Sequence, residues 1–287
     1  MKAIKTLSLS ILLSIFATSQ ITASEYTEVT EKSFDAAAIR NLEIKTIAGY
    51  IKVFGEERED ISITRKATVR NVRESRAKAY LENIETETTI DGETLAISYQ
   101  LEDKPSSISI SLELRLPQNI VTHLKTSGGS IRVEDMDADV TAKTSGGNMT
   151  FNQIKANLTA RTSGGDIKVD NVSMDANIHT SGGNLSLKNL NGNVTAKTSG
   201  GYIEAEILNP ITKNSSFKTS GGNIKLKLVE DSAFHLAAQA TGGRIHSDFK
   251  VDSQVDDKSR SIEGNVNGGG PDLELKTSGG NIHIIAL

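Results

Sequence analysis

The chain has 287 residues, a formal net charge of −4, 37% hydrophobic residues and only 4% aromatic residues, and it contains no cysteine or tryptophan. The lack of cysteine excludes disulfides and thiolate chemistry, and the acidic balance argues against general nucleic-acid binding. Few aromatic residues favour a narrow core filled by small and branched aliphatic side chains.

An export signal is predicted at the N-terminus. Lys2 and Lys5 precede an apolar run from Leu7 to Phe16, and small residues follow at 22–24. This run is too short to span a bilayer, which favours a cleaved signal peptide over residues 1–24 rather than the alternative of a membrane anchor. We therefore expect an exported protein, either periplasmic, at the cell surface or secreted, with no transmembrane segment in the mature chain.

Residues 25–121 are predicted to form an N-terminal β-rich segment that is continuous with the repeats after it. Apolar residues alternate around Leu42–Val53 and strictly from Ile108 to Leu116, which is the period of a strand. The charged stretch 70–85 lacks glycine and proline and predicts a short helix. A degenerate first copy of the later repeat is recognisable from Thr46 (TIAGYIKV). We expect this segment to close the N-terminal end of a stack.

Self-similarity dominates residues 122–287. Between successive copies, apolar residues two apart predict two short strands per unit. Such a unit buries its inward residues only when copies stack. We therefore predict an all-β fold, a right-handed parallel β-helix (β-solenoid) of 18-residue coils, with an antiparallel barrel as the alternative. The tetrapeptide Thr-Ser-Gly-Gly begins, mostly at intervals of 18 residues, at Thr126, Thr144, Thr162, Thr180, Thr198, Thr219 and Thr277.

The glycine pair of each copy is predicted to turn the chain between strands. Glycine accepts positive φ, and the Thr and Ser hydroxyls can bond to the neighbouring coil or cap the turn. Asn often follows the motif, which favours an amide ladder along the stack, whereas no Lys-[Ser/Thr] follows as in a phosphate-binding loop. The predicted turn glycines are Gly128, Gly129, Gly146, Gly147, Gly164, Gly165, Gly182, Gly183, Gly200, Gly201, Gly221, Gly222, Gly279 and Gly280.

No residue pattern points to catalysis, a metal or a cofactor. Glu134, Asp135, Asp137 and Asp139 lie close together within one corner of a repeat, and we interpret them as a solvated surface. The histidines show no ligand spacing such as H-x-x-x-H. A polysaccharide-active enzyme on a β-helix is the alternative, because paired carboxylates can cleave glycosidic bonds.

A basic residue precedes the threonine of every Thr-Ser-Gly-Gly copy. Stacking in register would place these residues in one column, with neighbours about 4.8 Å apart, where like charges repel mildly. We hypothesise that the column attracts an anionic glycan, lipopolysaccharide or another acidic surface. The alternative is that the charges only keep an exposed strand soluble. The basic column consists of Lys125, Lys143, Arg161, His179, Lys197, Lys218 and Lys276.

The C-terminal part departs from the regular spacing. Thr241-Gly242-Gly243 is a variant of the motif, and the intervals after Thr198 and Thr219 are longer than 18 residues. We expect these insertions to interrupt the regular face and to be the first places for a binding site. The interval from Thr241 to Thr277 fits two periods of 18. The chain ends directly after the last motif, and this predicts an uncapped last coil that pairs end to end with another copy or a partner.

Residues 112–136 (LELRLPQNIVTHLKTSGGSIRVEDM) resemble DUF4097, an adhesin-like family of exported β-strand repeat proteins, and LEIKTIAGYIKV at 42–53 is similar to its opening coil. The resemblance covers essentially the whole mature chain. It implies a β-helix fold in a bacterial-type envelope or surface protein and transfers no catalytic residues. We expect a non-enzymatic protein with adhesin-like binding or scaffolding. The alternatives are a polysaccharide-active enzyme and an envelope-stress regulatory module.

Overall fold

The computed structural model describes residues 25–101, 108–255 and 260–287, so the predicted signal peptide lies outside the described residues. Over these residues the chain is nearly all β and forms two long sheets, one of 12 strands and one of 13. Inward aliphatic side chains from both sheets form one continuous core. The predicted all-β solenoid is confirmed.

The N-terminal part contains eight elements. The charged stretch 70–85 forms a helix, as predicted. Antiparallel pairing of the first, fourth and seventh strands extends the 12-stranded sheet, and the fifth strand pairs antiparallel with the sixth at the edge of the other sheet. The elements are β1 (Glu25–Asp35), β2 (Asn41–Thr46), β3 (Ile51–Glu56), β4 (Asp60–Arg70), α1 (Glu74–Glu82), β5 (Glu85–Asp91), β6 (Thr94–Gln100) and β7 (Ile108–Pro117).

Each regular coil contributes one strand to each sheet, the even-numbered strands to the 13-stranded sheet and the odd-numbered strands to the 12-stranded sheet. Successive coils pair in parallel, which excludes the antiparallel barrel. The strands are β8 (Val121–Thr126), β9 (Ile131–Met136), β10 (Val140–Lys143), β11 (Met149–Ile154), β12 (Leu158–Arg161), β13 (Ile167–Val172), β14 (Ala176–His179), β15 (Leu185–Leu190), β16 (Val194–Lys197), β17 (Ile203–Ile207), β18 (Ser215–Thr219) and β19 (Ile224–Leu228).

The C-terminal coil lies inside the stack. Its two strands are β24 and β25, and β24 pairs with β18 on one side and β20 on the other, while β25 lies between β19 and β21. The prediction of an uncapped last coil is therefore wrong, because both of its strands are already paired on both sides. The C-terminal strands are β20 (Phe234–Ala240), β21 (Ile245–Ser247), β22 (Asp252–Val255), β23 (Ser261–Val266), β24 (Asp272–Thr277) and β25 (Ile282–Ala286).

The spacing from Thr241 to Thr277 also has a different origin from the one predicted. The chain does not make two successive coils there. Instead, β22 and β23 form an antiparallel pair at the edge of the 13-stranded sheet, and the chain then returns to insert β24 and β25 one layer back. Thr277 consequently lies between its register partners Thr219 and Ala240, so Thr241 is aligned with the serine of the motif and not with its threonine.

The N-terminal end is built in the same interleaved way. The coil formed by β2 and β3 lies between the coil of β6 and β7 and the coil of β8 and β9, although it precedes both in the chain. Thr46 is the register partner of Thr126, so the predicted degenerate copy is confirmed. At both ends the chain therefore places a coil between two others. Antiparallel strands form the outer layers, except that β21, which is parallel to β25, forms the C-terminal edge of the 12-stranded sheet.

The motif threonines link each coil to the one before it. They are buried, and each hydroxyl donates to the carbonyl oxygen of the preceding coil's second glycine. The distance from Thr180 Oγ1 to the Gly165 carbonyl oxygen is 2.8 Å, and the same hydroxyl accepts the Gly183 N–H at 3.2 Å. Equivalent bonds are made by Thr144, Thr162, Thr198, Thr219 and Thr277. The prediction that this hydroxyl bonds to the neighbouring coil and caps the turn is confirmed.

The second glycine of the motif is required by close packing and not by its own backbone conformation. A Cβ on Gly147 would lie 2.0 Å from the Gly129 carbonyl oxygen, and the same distance recurs for Gly165 and Gly183 against their preceding coils. The motif glycines do not have φ in the left-handed region, so the predicted positive φ is wrong. That conformation occurs instead at the other corner of the coil, at Asp135, Gln153, Asn171 and Asn189.

A ladder of side-chain oxygens runs along the residues that follow the motif. The backbone N–H of Asn184 donates to Asp166 Oδ1 at 2.7 Å, and the backbone N–H of Tyr202 donates to Asn184 Oδ1 at 3.0 Å. The predicted ladder is thus present, but each rung joins a side-chain oxygen to the next coil's backbone N–H and not amide to amide. A second ladder of this type starts at Asp139, which accepts the Asn157 N–H at 3.0 Å.

The two glycines of one motif provide a matched test of the packing. We expect Gly147→Ala to destabilise the protein by about 1–3 kcal/mol, because the added methyl group overpacks the contact with the preceding coil. Gly146→Ala adds its methyl group to open space and should shift stability by less than about 0.5 kcal/mol. Urea unfolding midpoints of both variants measure the difference. Equal midpoints would contradict the close-packing role.

Candidate binding face

The outer face of the 13-stranded sheet is organised in columns that run along the stack. In β10, Val140 and Ala142 are buried, while Thr141 is partly exposed and Lys143 is exposed. The neighbouring strands repeat this alternation and pair in register. Because side chains alternate between the two sides of a strand, each outward position stacks on its counterpart in the next coil.

The structure brings all seven residues of the basic column into register. The pairs of partners follow one another without a gap from Lys125 to Lys276. Lys45 extends the column by one further coil as the register partner of Lys125. Sequence reasoning missed Lys45, although its position before Thr46 of the degenerate copy is a usable signal. Neighbouring residues of the column lie about 4.8 Å apart.

Uncharged polar side chains flank the basic column. On one side lies a column that contains Thr141, Thr159, Asn177 and Thr195, with His123 at its N-terminal end. On the other side, the serine of each motif follows the buried threonine and is exposed. The motif serines are Ser127, Ser145, Ser163, Ser181, Ser199, Ser220 and Ser278. The face therefore offers cations between two rows of hydrogen-bonding groups.

Carboxylates neutralise the two ends of the column but not its middle. Glu43 Oε2 lies 3.9 Å from Lys45 Nζ, and Glu274 Oε1 lies 2.6 Å from Lys218 Nζ. The hydrogen bond from Lys218 lowers the pKa of Glu274 below its usual range. Among the described residues, no carboxylate lies within ion-pair distance of the five residues of the central segment, which are Lys125, Lys143, Arg161, His179 and Lys197.

His179 lies in the middle of the central segment between Arg161 and Lys197. Partial burial lowers the pKa of its imidazole below 6.5, and the two neighbouring cations lower it further. At neutral pH the central segment therefore carries positive charge on either side of an uncharged histidine.

The outer face of the 12-stranded sheet has a different charge pattern. There, the basic residues of β19 pair with acidic residues of the neighbouring strand β17. Lys225 Nζ lies 3.4 Å from Glu204 Oε1, and Lys227 Nζ lies 3.1 Å from Glu206 Oε2. Arg132 likewise pairs with Glu134 on its own strand. Charges on β17 and β19 of this face are thus compensated across strands, unlike those of the central segment of the basic column.

The acidic corner near Met136 is occupied by structural contacts. Asp137 pairs with Lys155 at 2.9 Å, and Asp139 accepts hydrogen bonds from the backbone and side chain of Asn157. Asp135 adopts a φ of 60° at the turn of the coil. These carboxylates hold the corner and join it to the next coil, and they do not converge on a shared cleft.

Two histidines come together at the C-terminal end of the 12-stranded sheet. His246 and His283 are register partners with ring centroids 6.3 Å apart, and His246 Nε2 lies 3.3 Å from Asp248 Oδ1. Within the described ranges, however, no group of three or more His, Cys, Asp or Glu residues is arranged to hold a metal ion.

The longer intervals in the sequence do not interrupt the basic column. After β17 the loop is held against the previous coils, with Asn209 Nδ2 2.7 Å from Asn191 Oδ1 and Lys213 Nζ 3.1 Å from Asp175 Oδ1. The second long interval arises because β20 skips a layer.

A cavity of about 450 Å³ lies at the N-terminal end of the column, where Lys45, Lys125 and Glu87 line it.

Two sheets of mainly parallel strands, joined by a turn that recurs from coil to coil, define a β-solenoid protein. The chain belongs to the Toastrack DUF4097 family, whose sequence profile matches residues 33–285. The resemblance noted from residues 112–136 and 42–53 is therefore confirmed. No curated protein matches the chain. Within the described residues, no helix has both the length and the apolar character needed to cross a membrane.

Solved structures with a general likeness to the chain come from bacteria. A "putative adhesin" from Bacteroides fragilis is 17% identical, with coverage of 90% of this chain and 97% of that chain and a TM-score of 0.46. A "putative adhesin" from Parabacteroides distasonis is 12% identical, with 90% and 97% coverage and a TM-score of 0.39. A "putative lipid binding protein" from the same species is 12% identical, with 92% and 97% coverage and a TM-score of 0.35.

Protonation of His179 should make stability depend on pH. Because the folded-state pKa is lowered, the unfolded chain takes up this proton first, and stability should fall as the pH drops from 6.5 through the folded-state pKa. In His179→Asn this contribution is absent. Urea unfolding midpoints at pH 7.5 and at lower pH should therefore decline more for the wild type than for the variant. The same decline in both proteins would contradict the assignment.

Proposed function

We propose that this protein is an exported, non-enzymatic, adhesin-like protein of the cell envelope that binds an anionic glycan on the outer face of the 13-stranded sheet. One observation carries the proposal. The central segment of the basic column aligns four permanent cations and one titratable histidine with no carboxylate partner among the described residues, although the chain has a net charge of −4.

The charge pattern favours binding over a general role in solubility. Like charges stacked on neighbouring strands destabilise a sheet, and solubility can be achieved with alternating signs. On the opposite face, Lys225 and Lys227 do pair with Glu204 and Glu206 of the neighbouring strand. A column of one sign creates a local positive potential that concentrates anions on this face.

The flanking columns support a glycan as the anion. Threonine, asparagine and serine side chains lie on both sides of the cations, and these groups can both donate and accept hydrogen bonds. Sugar hydroxyl groups need such partners, while the acidic groups of the glycan would contact the basic column. The exposed position of the face leaves it accessible to a long polymer.

Charge reversal on the face tests the proposed binding. We expect Lys143→Glu, Arg161→Glu and Lys197→Glu together to weaken binding to polygalacturonate by about tenfold or more, since each exposed ion pair contributes about 0.5 kcal/mol and each reversal replaces attraction by repulsion. Isothermal titration calorimetry at low salt measures the change.

A matched control places the same charge change on the opposite face. Lys52→Glu, Lys168→Glu and Lys225→Glu alter the net charge equally but lie on the 12-stranded sheet. We expect this variant to bind nearly as the wild type does. Equal loss in both triple variants, or no binding by the wild type, would refute the proposed face. Shortened polygalacturonate after incubation would favour the alternative of a polysaccharide-active enzyme.

The proposed export rests on the residues before the described part of the chain. We expect the full chain in a bacterial host to be recovered outside the cytoplasm and shortened by about two dozen residues, because an apolar run of this length after basic residues directs secretion and cleavage. Fractionation with mass spectrometry of the purified protein measures both. Retention of the intact N-terminus in the cytoplasm would contradict export.

A further inference from the structure

We infer that the ligand is a linear acidic glycan that lies along the solenoid axis and is bound over the five coils from Lys125 to Lys197, within the limits set by Glu43 and Glu274. This inference rests on the proposed function and specifies the geometry of its ligand. It depends on three features of the face, which are the width of the basic column, the uncharged columns beside it and the carboxylates at its two ends.

The basic column is one residue wide on each strand, and this width favours a linear ligand. Each strand of the central segment places one basic-column residue outward, and in β10, β12, β14 and β16 the outward residue two positions earlier is Thr or Asn, as in Thr141 and Lys143. A planar anionic surface would be attracted equally by cations spread over the whole face. A single line of cations, with neighbours about 4.8 Å apart, fits a chain whose charges also repeat along one line.

The two carboxylates define where the bound stretch of the glycan begins and ends. Glu43 and Glu274 occupy the same outward column as Thr141, one coil beyond each end of the run from His123 to Ser216, which contains no carboxylate. Glu43 pairs with Lys45 of its own strand and Glu274 pairs with Lys218 of the neighbouring strand, and each carboxylate would repel an anionic ligand. Ser216 Oγ donates to Glu274 Oε2 at 3.2 Å and holds this carboxylate in place.

The basic column itself also ends near these carboxylates. Beyond Lys45 the column continues with Ser98 and then Glu87, and beyond Lys276 it continues with Gln239. The open segment therefore extends from Lys125 to Lys197. Four steps between coils give it a length of about 19 Å. The open segment can therefore contact only a short stretch of a polymer at one time.

A length series measures this limit directly. Oligogalacturonates carry one carboxylate per sugar, and their affinities can be compared by isothermal titration calorimetry at constant carboxylate concentration. We expect affinity to rise steeply until the oligomer spans the open segment and then to level off. A continued rise well beyond that length would overturn the inference, because it would show that the end carboxylates do not limit the site.

Neutralising one end should lengthen the site. In Glu274→Gln, Lys218 and Lys276 join the open segment, so we expect the plateau to move to longer oligomers and their affinity to rise about threefold, as for one or two exposed ion pairs. Glu43→Gln frees Lys45 and provides a second, independent variant. Glu204→Gln is the matched control, since it removes the same charge next to Lys225 on the opposite face.

The outcomes separate this inference from the proposed function. If oligogalacturonates bind with a plateau that shifts in Glu274→Gln or Glu43→Gln but not in Glu204→Gln, the inference is supported. If they bind but all three variants behave alike, the inference is wrong while glycan binding stands. If no acidic glycan of any length binds and only vesicles containing phosphatidylglycerol do, both the inference and the proposed function are wrong.

Discussion

The close approach of successive glycine turns is the constraint on which the rest of the structure depends. The carbonyl oxygen of one second glycine occupies the place where a Cβ of the next would lie. Only glycine permits this approach, and the buried threonine then spans the two coils by donating to that same carbonyl oxygen. Because the contact has a single geometry, each coil must stack on the last in the same register. Every outward position consequently becomes a column.

The ends of the stack depend on a different arrangement. A parallel stack exposes unpaired backbone groups at each end, which invites aggregation. Here the chain places a coil between two others at both ends, and antiparallel strands such as β1 and β22 cover three of the four sheet edges. The interleaving joins distant parts of the chain, so the end layers are held by contacts that a simple sequential stack would lack. The motif layer of Thr277 keeps the common register despite this detour.

Register also explains how a repetitive structure acquires a distinct face. The same stacking that aligns structural residues aligns charges, and on the 12-stranded sheet it pairs Lys225 and Lys227 with Glu204 and Glu206 of the neighbouring strand. On the 13-stranded sheet basic residues are aligned over the central segment, where repulsion between neighbours is offset by the burial and hydrogen bonding of the coils beneath. His179 reduces the repulsion within the central segment, because its imidazole is uncharged at neutral pH. An anionic ligand of complementary charge would remove the remaining electrostatic repulsion between the cations.

The sequence by itself determined the coil, the buried threonine and the seven-residue basic column, because residues that recur every 18 positions occupy equivalent environments in a stack. It also indicated the degenerate copy at Thr46 and the helix within 70–85. The tertiary structure alone decided the order of layers at both ends, the true reason for the second glycine, and the pairing of Lys218 with Glu274. These features join residues with no periodic relation, such as Ser216 and Glu274, which are 58 positions apart. Local pattern carries no information about such contacts, since they exist only once the chain has folded back on itself.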